Sequence, residues 1–206
     1  MTTADHMRSV ATWVSLFCLV GALASPARAQ SEPTLRVVGT VERIDGTTLV
    51  VNTGQGERTV GLAPTATLFA MVKANVADVK PGTFVGVGAT PQPDDSQHAI
   101  RVMIFPESMR GLGEGHRPWD RPGTTMTNAT VDTAVTSVEG PVATVRYKGG
   151  EKKIVMRPDT VFLTYVAADR SELKPGARVA VTGIVRSGGI VEARRIVVGR
   201  DGVVPM

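Results

Sequence analysis

The chain has 206 residues, a formal net charge of +4, an aromatic content of 4% and a single cysteine. Acids are interleaved among the bases and rings are scarce, which excludes a basic, base-stacking stripe for nucleic acid. One cysteine excludes a disulfide framework and any paired-cysteine metal motif.

The first 29 residues carry an export pattern. Arg8 precedes an apolar run at 10–24, and Ser25-Pro26-Ala27-Arg28-Ala29 places small residues at −3 and −1 of a cut before Gln30. This predicts a cleaved signal peptide at 1–29 and a periplasmic location. The run is shorter than the ~20 residues a spanning helix needs. No second apolar stretch could cross a membrane, so a pore or permease is excluded. Cys18 lies inside the leader, and the exported chain therefore has no cysteine.

A short polar leader, 31–34, opens the exported part. Residues 36–44 and 48–52 read as strands around Asp45-Gly46, a pair that supplies the positive φ of a tight hairpin turn. Residues 58–62 form a third strand, stopped by Pro64, which has no N–H for a ladder. An extended piece at 68–72 and a helical turn at 75–79 follow. Lys80-Pro81-Gly82 ends that turn, and strands at 84–89 and 99–105 complete the module. Gly86 and Gly88 are expected to permit a bend.

The order then repeats. Gly140 stands 94 residues after Gly46, and the same spacing relates Val41 to Val135, Val51 to Val145, Pro64 to Pro158 and Arg101 to Arg195. Lys174-Pro175-Gly176 repeats Lys80-Pro81-Gly82. No gap is needed between 41–104 and 135–198. Two copies of one module are expected, at 35–106 and 128–199, with strands in the second at 133–138, 142–148, 152–156, 161–166, 179–185 and 190–198. A Gly- and Pro-rich linker at 107–127 joins them, and 200–206 is a tail. Five strands with a short turn between the third and fourth is the order of an OB-type barrel. The predicted fold class is all-β, two tandem five-stranded OB-like barrels.

Little in the chain points to catalysis. Beyond the leader there are two histidines, His98 and His116, and no Gly-x-Ser-x-Gly, His-Glu-x-x-His or phosphate loop. The reading is therefore non-enzymatic, with no cofactor and no metal. The repeated Lys-Pro-Gly is accounted for as turn chemistry. The unusual side chains lie in the linker, in Gly113-Glu114-Gly115-His116-Arg117-Pro118-Trp119-Asp120. His116, Trp119 and Asp120 are the candidate ligand or partner contacts. His116, Asp120 and Glu114 could also ligate a metal, while Trp119 could equally be an anchor packed on a module. His98 reads as a solvated loop histidine.

The runs Gly-Thr-Val-Glu-x-Ile-Asp-Gly (39–46), Leu-Lys-Pro-Gly (173–176) and Ala-x-Arg-Ile-x-Val-Gly (193–199) resemble DUF5666, a small exported OB-like β-domain of unknown function. The stretches 104–120, 126–131, 150–155 and 199–206 resemble proteobacterial exported proteins labelled "metal ABC transporter permease". A permease needs several spans, which this chain lacks. What the resemblance implies is an exported binding or scaffolding protein whose partner is a protein or cell-envelope component. The alternative it implies is a periplasmic accessory role in metal transport or homeostasis.

Overall fold

The computed structural model describes residues 34–137 and 140–205. The expected signal peptide at 1–29 lies outside the described residues. The chain is all-β, as its alternation predicts. Its strands are β1 (Thr34–Asp45), β2 (Thr48–Thr53), β3 (Gly56–Gly61), β4 (Thr67–Lys73), β5 (Phe84–Pro91) and β6 (Gln97–Ile104). They continue as β7 (Gly115–Pro118), β8 (Thr125–Ser137), β9 (Gly140–Tyr147), β10 (Gly150–Ala167), β11 (Arg178–Val185) and β12 (Val191–Gly199). Short 3-10 turns at Val76–Asp78 and Arg170–Glu172 occupy the expected helical turns. Among the described residues no helix is long and apolar enough to cross a membrane.

All twelve strands belong to one hydrogen-bonded sheet, but the pairing does not follow the repeats. β1 pairs with β2 and β2 with β3, as a meander should. The far edge of β1 then pairs with β11 of the second repeat, and β11 with β12. β12 returns to β3 through only Val191–Val60 and Glu192–Gly61. A second circuit links β8, β9 and β10 of the second repeat to β5 and β6 of the first. The two repeats have exchanged their last two strands.

The crossing takes a different local form in each repeat. β10 does not stop at Pro158, as its counterpart Pro64 suggested. It runs on as one strand, and its pairing with β6 skips a register between Met156 and Val161. The missing ladder bonds are replaced by Thr160, whose Oγ1 accepts from Arg157 N at 2.8 Å and donates to Ala99 O at 2.8 Å. A proline is tolerated at such an irregularity because no N–H is required there. The continuing strand carries the chain out of its own circuit and into the other. In the first repeat the strand is interrupted, β3 ending at Gly61, and the separate strand β4 makes the crossing by pairing with β12 and β10.

The Lys-Pro-Gly turns then fasten each repeat to the other. Gly82 N donates to Val131 O at 2.8 Å, and Gly176 N donates to Val41 O at 2.8 Å. Gly82 and Gly176 have φ of 86° and 88°, which a side chain would strain. These bonds also correct the alignment. Val41 matches Val131, 90 residues on, and not Val135. Val41 and Val131 are each 1% exposed, while Val135 is 61% exposed. The hairpin between β8 and β9 is four residues longer than the one between β1 and β2, so the spacing of 94 holds only from β2 onward.

Each circuit encloses an aliphatic core. Val41, Leu49, Val51 and Val181 fill the first, and Val85, Val131, Val145 and Ile154 the second. Each such side chain contributes on the order of 1.5–3 kcal/mol by leaving water. A third cluster of Met71, Met103, Leu163, Val197 and Val203 fills the joint between them. Val203 belongs to the expected tail, which is folded back. Arg200 N donates to Met71 O at 3.1 Å, and its guanidinium is bidentate on Glu172 at 2.7 and 2.8 Å.

Candidate functional site

The site begins where the repeats cross. β4 and the second half of β10 pair antiparallel with Met71 opposite Tyr165. These are equivalent positions of the two repeats, so an approximate two-fold axis passes between them. The same symmetry brings Arg101 on β6 and Arg195 on β12 to either side of Tyr165, and Arg36 of β1 joins them. Burial raises the Tyr165 hydroxyl above its usual pKa, although Arg195, Arg36 and Arg101 all pull it the other way. Tyr165 therefore stays neutral and able to donate a hydrogen bond.

Burial also holds the Arg101 guanidinium below its ordinary value, reinforced by Arg121. Arg36 is lowered by burial first and by Arg195 last, with Tyr165 and Asp120 opposing. Arg36 as a whole residue is exposed, so the lowering by burial is the weaker observation at this position. Among the described residues Arg36, Arg101 and Arg195 make no ion pair and no side-chain hydrogen bond. Three guanidiniums thus share one cleft with a single carboxylate, Asp120, and none of the three forms an ion pair with it, an excess of positive charge that an anion would relieve.

The expected linker supplies the roof. It is not a free connection: β7 pairs with the start of β8, from Gly115–Asn128 to Pro118–Thr125. Buried Met109 anchors its beginning. The Arg110 guanidinium donates to Gly82 O at 2.8 Å, and Glu114 Oε1 accepts from Lys148 N at 2.9 Å. A turn from Trp119 to Thr124 closes it, with Trp119 N donating to Thr124 O at 3.0 Å.

The Trp119 ring is seated against Gly88, where a Cβ would come within 2.4 Å of it. Gly86 is likewise crowded, by the Phe105 ring at 2.8 Å and Asn128 Oδ1 at 3.0 Å. These glycines make room for aromatic rings, and the β5–β6 pairing shifts register between Gly88 and Ala89, an irregularity of the kind that bends a strand. Neither has a positive φ.

Roof and sheet enclose a cleft of about 370 Å³, within the size of small-molecule sites. Four arginines line it, Arg36, Arg101, Arg117 and Arg195, against one carboxylate, Asp120. Met71, Met103 and Phe105 supply apolar floor. Asn128 is 6% exposed and donates to Leu112 O at 2.8 Å, but its Oδ1 has no hydrogen-bond partner. A buried carbonyl left unpaired costs about 1–3 kcal/mol; Asn128 is among the lining residues, but this oxygen is turned toward Gly86 and shut off from the cleft.

The three residues singled out from the sequence are divided. Trp119 and Asp120 line the cleft. His116 does not. Its Nδ1 lies 2.8 Å from Thr127 Oγ1 and its ring stacks on Tyr147 at 6.3 Å. Burial lowers its pKa, Lys152 adds to the shift and Asp95 opposes it. Among the described residues no group of three or more His, Cys, Asp or Glu could hold a metal ion.

Arg36, Arg101, Arg195, Tyr165 and Asn128 were not singled out by sequence reasoning. One signal was present: Arg101 and Arg195 are the same arginine kept in both repeats, within strands otherwise rich in valine and isoleucine. No family model, no curated protein and no solved structure matches the chain.

Proposed function

We propose that the protein is an exported, non-enzymatic binding protein of two five-stranded OB-like barrels, acting in the periplasm on a ligand or cell-envelope partner through the cleft at the repeat junction. The resemblance to DUF5666 implies the barrels and the export, and the leader pattern at 1–29 supports the location. The observation that carries the binding role is the convergence of Arg36, Arg101 and Arg195 without ion-pair partners, under a roof the repeat does not supply. A scaffold alone has no use for three uncompensated guanidiniums, because salt bridges or apolar residues would stabilise the joint better.

The test is native mass spectrometry of the protein isolated gently from an envelope fraction. A bound species present in the wild type and lost in the double variant Arg101→Ala/Arg195→Ala supports the reading. Turnover of any substrate in an esterase, peptidase and phosphatase panel, abolished by the same variant, contradicts it.

A further inference from the structure

The chemistry of the cleft defines what it would hold. Arg36, Arg101 and Arg195 line the cleft together with Tyr165. Guanidiniums favour planar or tetrahedral oxyanions, to which they donate paired hydrogen bonds. The neutral Tyr165 hydroxyl adds a further donor. Trp119, the single tryptophan beyond the leader, closes the cleft with an apolar ring face.

We propose that the cleft binds a small molecule that joins an oxyanion, carboxylate or phosphate, to a compact apolar body. The oxyanion lies among Arg36, Arg101 and Arg195, and the apolar body packs under Trp119. This rests on the binding role proposed above and gives that role its ligand chemistry. The volume of about 370 Å³ suits a compact molecule and not a protein segment.

Trp119 is also the reporter. In the full chain carrying Trp13→Phe it is the only tryptophan. Its fluorescence is titrated with hippurate, which has a carboxylate, an amide N–H and a phenyl ring, and with phenyl phosphate. Methyl hippurate serves as the neutral control. A saturable change with at least one anion is expected, and the responding arm identifies carboxylate or phosphate as the preferred group. Binding of methyl hippurate should be weaker by about tenfold or more, the loss of a charge-assisted contact. Arg101→Ala/Arg195→Ala should weaken the anion by at least as much. Should that variant fail to fold, the comparison of acid with ester on the unmodified site still decides.

No saturable change with either anion overturns the proposal, and so does an equal response to methyl hippurate. A bound species that survives in native mass spectrometry while both anions fail removes the oxyanion assignment and leaves the binding role standing. Loss of both removes both.

Discussion

Met71 and Tyr165 face each other across the antiparallel pair of β4 and β10, and they are the same position of the two repeats. One copy has a buried thioether there and the other a phenol that lines the cleft with arginines. A duplicated scaffold has thus been made asymmetric at its own axis. Arg101 and Arg195 are retained by both copies, while Tyr165, Arg36 and the roof from 107 to 124 belong to one side only. The cleft exists because the strands exchange; two separate modules would not bring β12 of one repeat and β6 of the other beside the same tyrosine.

Gly88→Ala should dislodge Trp119. The added Cβ would stand 2.4 Å from the ring, so the ring must leave its seat. Overpacking of this kind costs about 1–3 kcal/mol. In a Trp13→Phe background the Trp119 emission should shift to the red as the ring enters water. An unshifted spectrum would show that the ring is not seated on β5.

The register of the repeat can be tested by three valines. Val41→Ala and Val131→Ala each remove a side chain that is 1% exposed and should each cost roughly 1.5–3 kcal/mol in chemical denaturation. Val135→Ala, at a position 61% exposed, should change stability by no more than about 0.5 kcal/mol. Equal losses at Val131 and Val135 would restore the uniform spacing of 94.

His116 should make the fold acid-sensitive. Its folded pKa is lowered from 6.5, chiefly by burial and further by Lys152, against the pull of Asp95. Below 6.5 the unfolded chain therefore takes up a proton that the folded chain resists, and stability falls as pH falls from 6.5 toward the lower folded value. Above 6.5 the contribution is fully present. Melting curves of the wild type and His116→Gln, compared across pH 5–8, should converge or cross below about pH 6.5. Parallel curves would assign the acid response to other groups.

The elements of this fold were legible in the sequence, and their partnership was not. Asp45-Gly46, the Lys-Pro-Gly turns and the valine alternation give nearly every strand. Whether β11 returns to β8 or crosses to β1 leaves no trace in such signals, because both closures bury equivalent valines against equivalent neighbours. Val135 was misaligned for a related reason: valine on an edge and valine in a core look alike until the longer hairpin strands of β8 and β9 are known. Of the site, Trp119 and Asp120 were visible because the roof is unrepeated and chemically distinctive. Arg101 and Arg195 were in view as a repeated pair, but repetition suggested scaffold. Asn128 gave no signal, since its meaning lies in a carbonyl that only three-dimensional packing leaves unpaired.

The exchange of strands is the claim on which the cleft depends, and one cut tests it. The turn Arg121–Gly123 is exposed and separates β1 to β7 from β8 to β12. A protease recognition sequence inserted between Pro122 and Gly123, cleaved in the folded protein and followed by size-exclusion chromatography, distinguishes the two arrangements. The account predicts a single species eluting with the uncut protein, resolved into two fragments only by denaturant. Two half-sized species released without denaturant would contradict it.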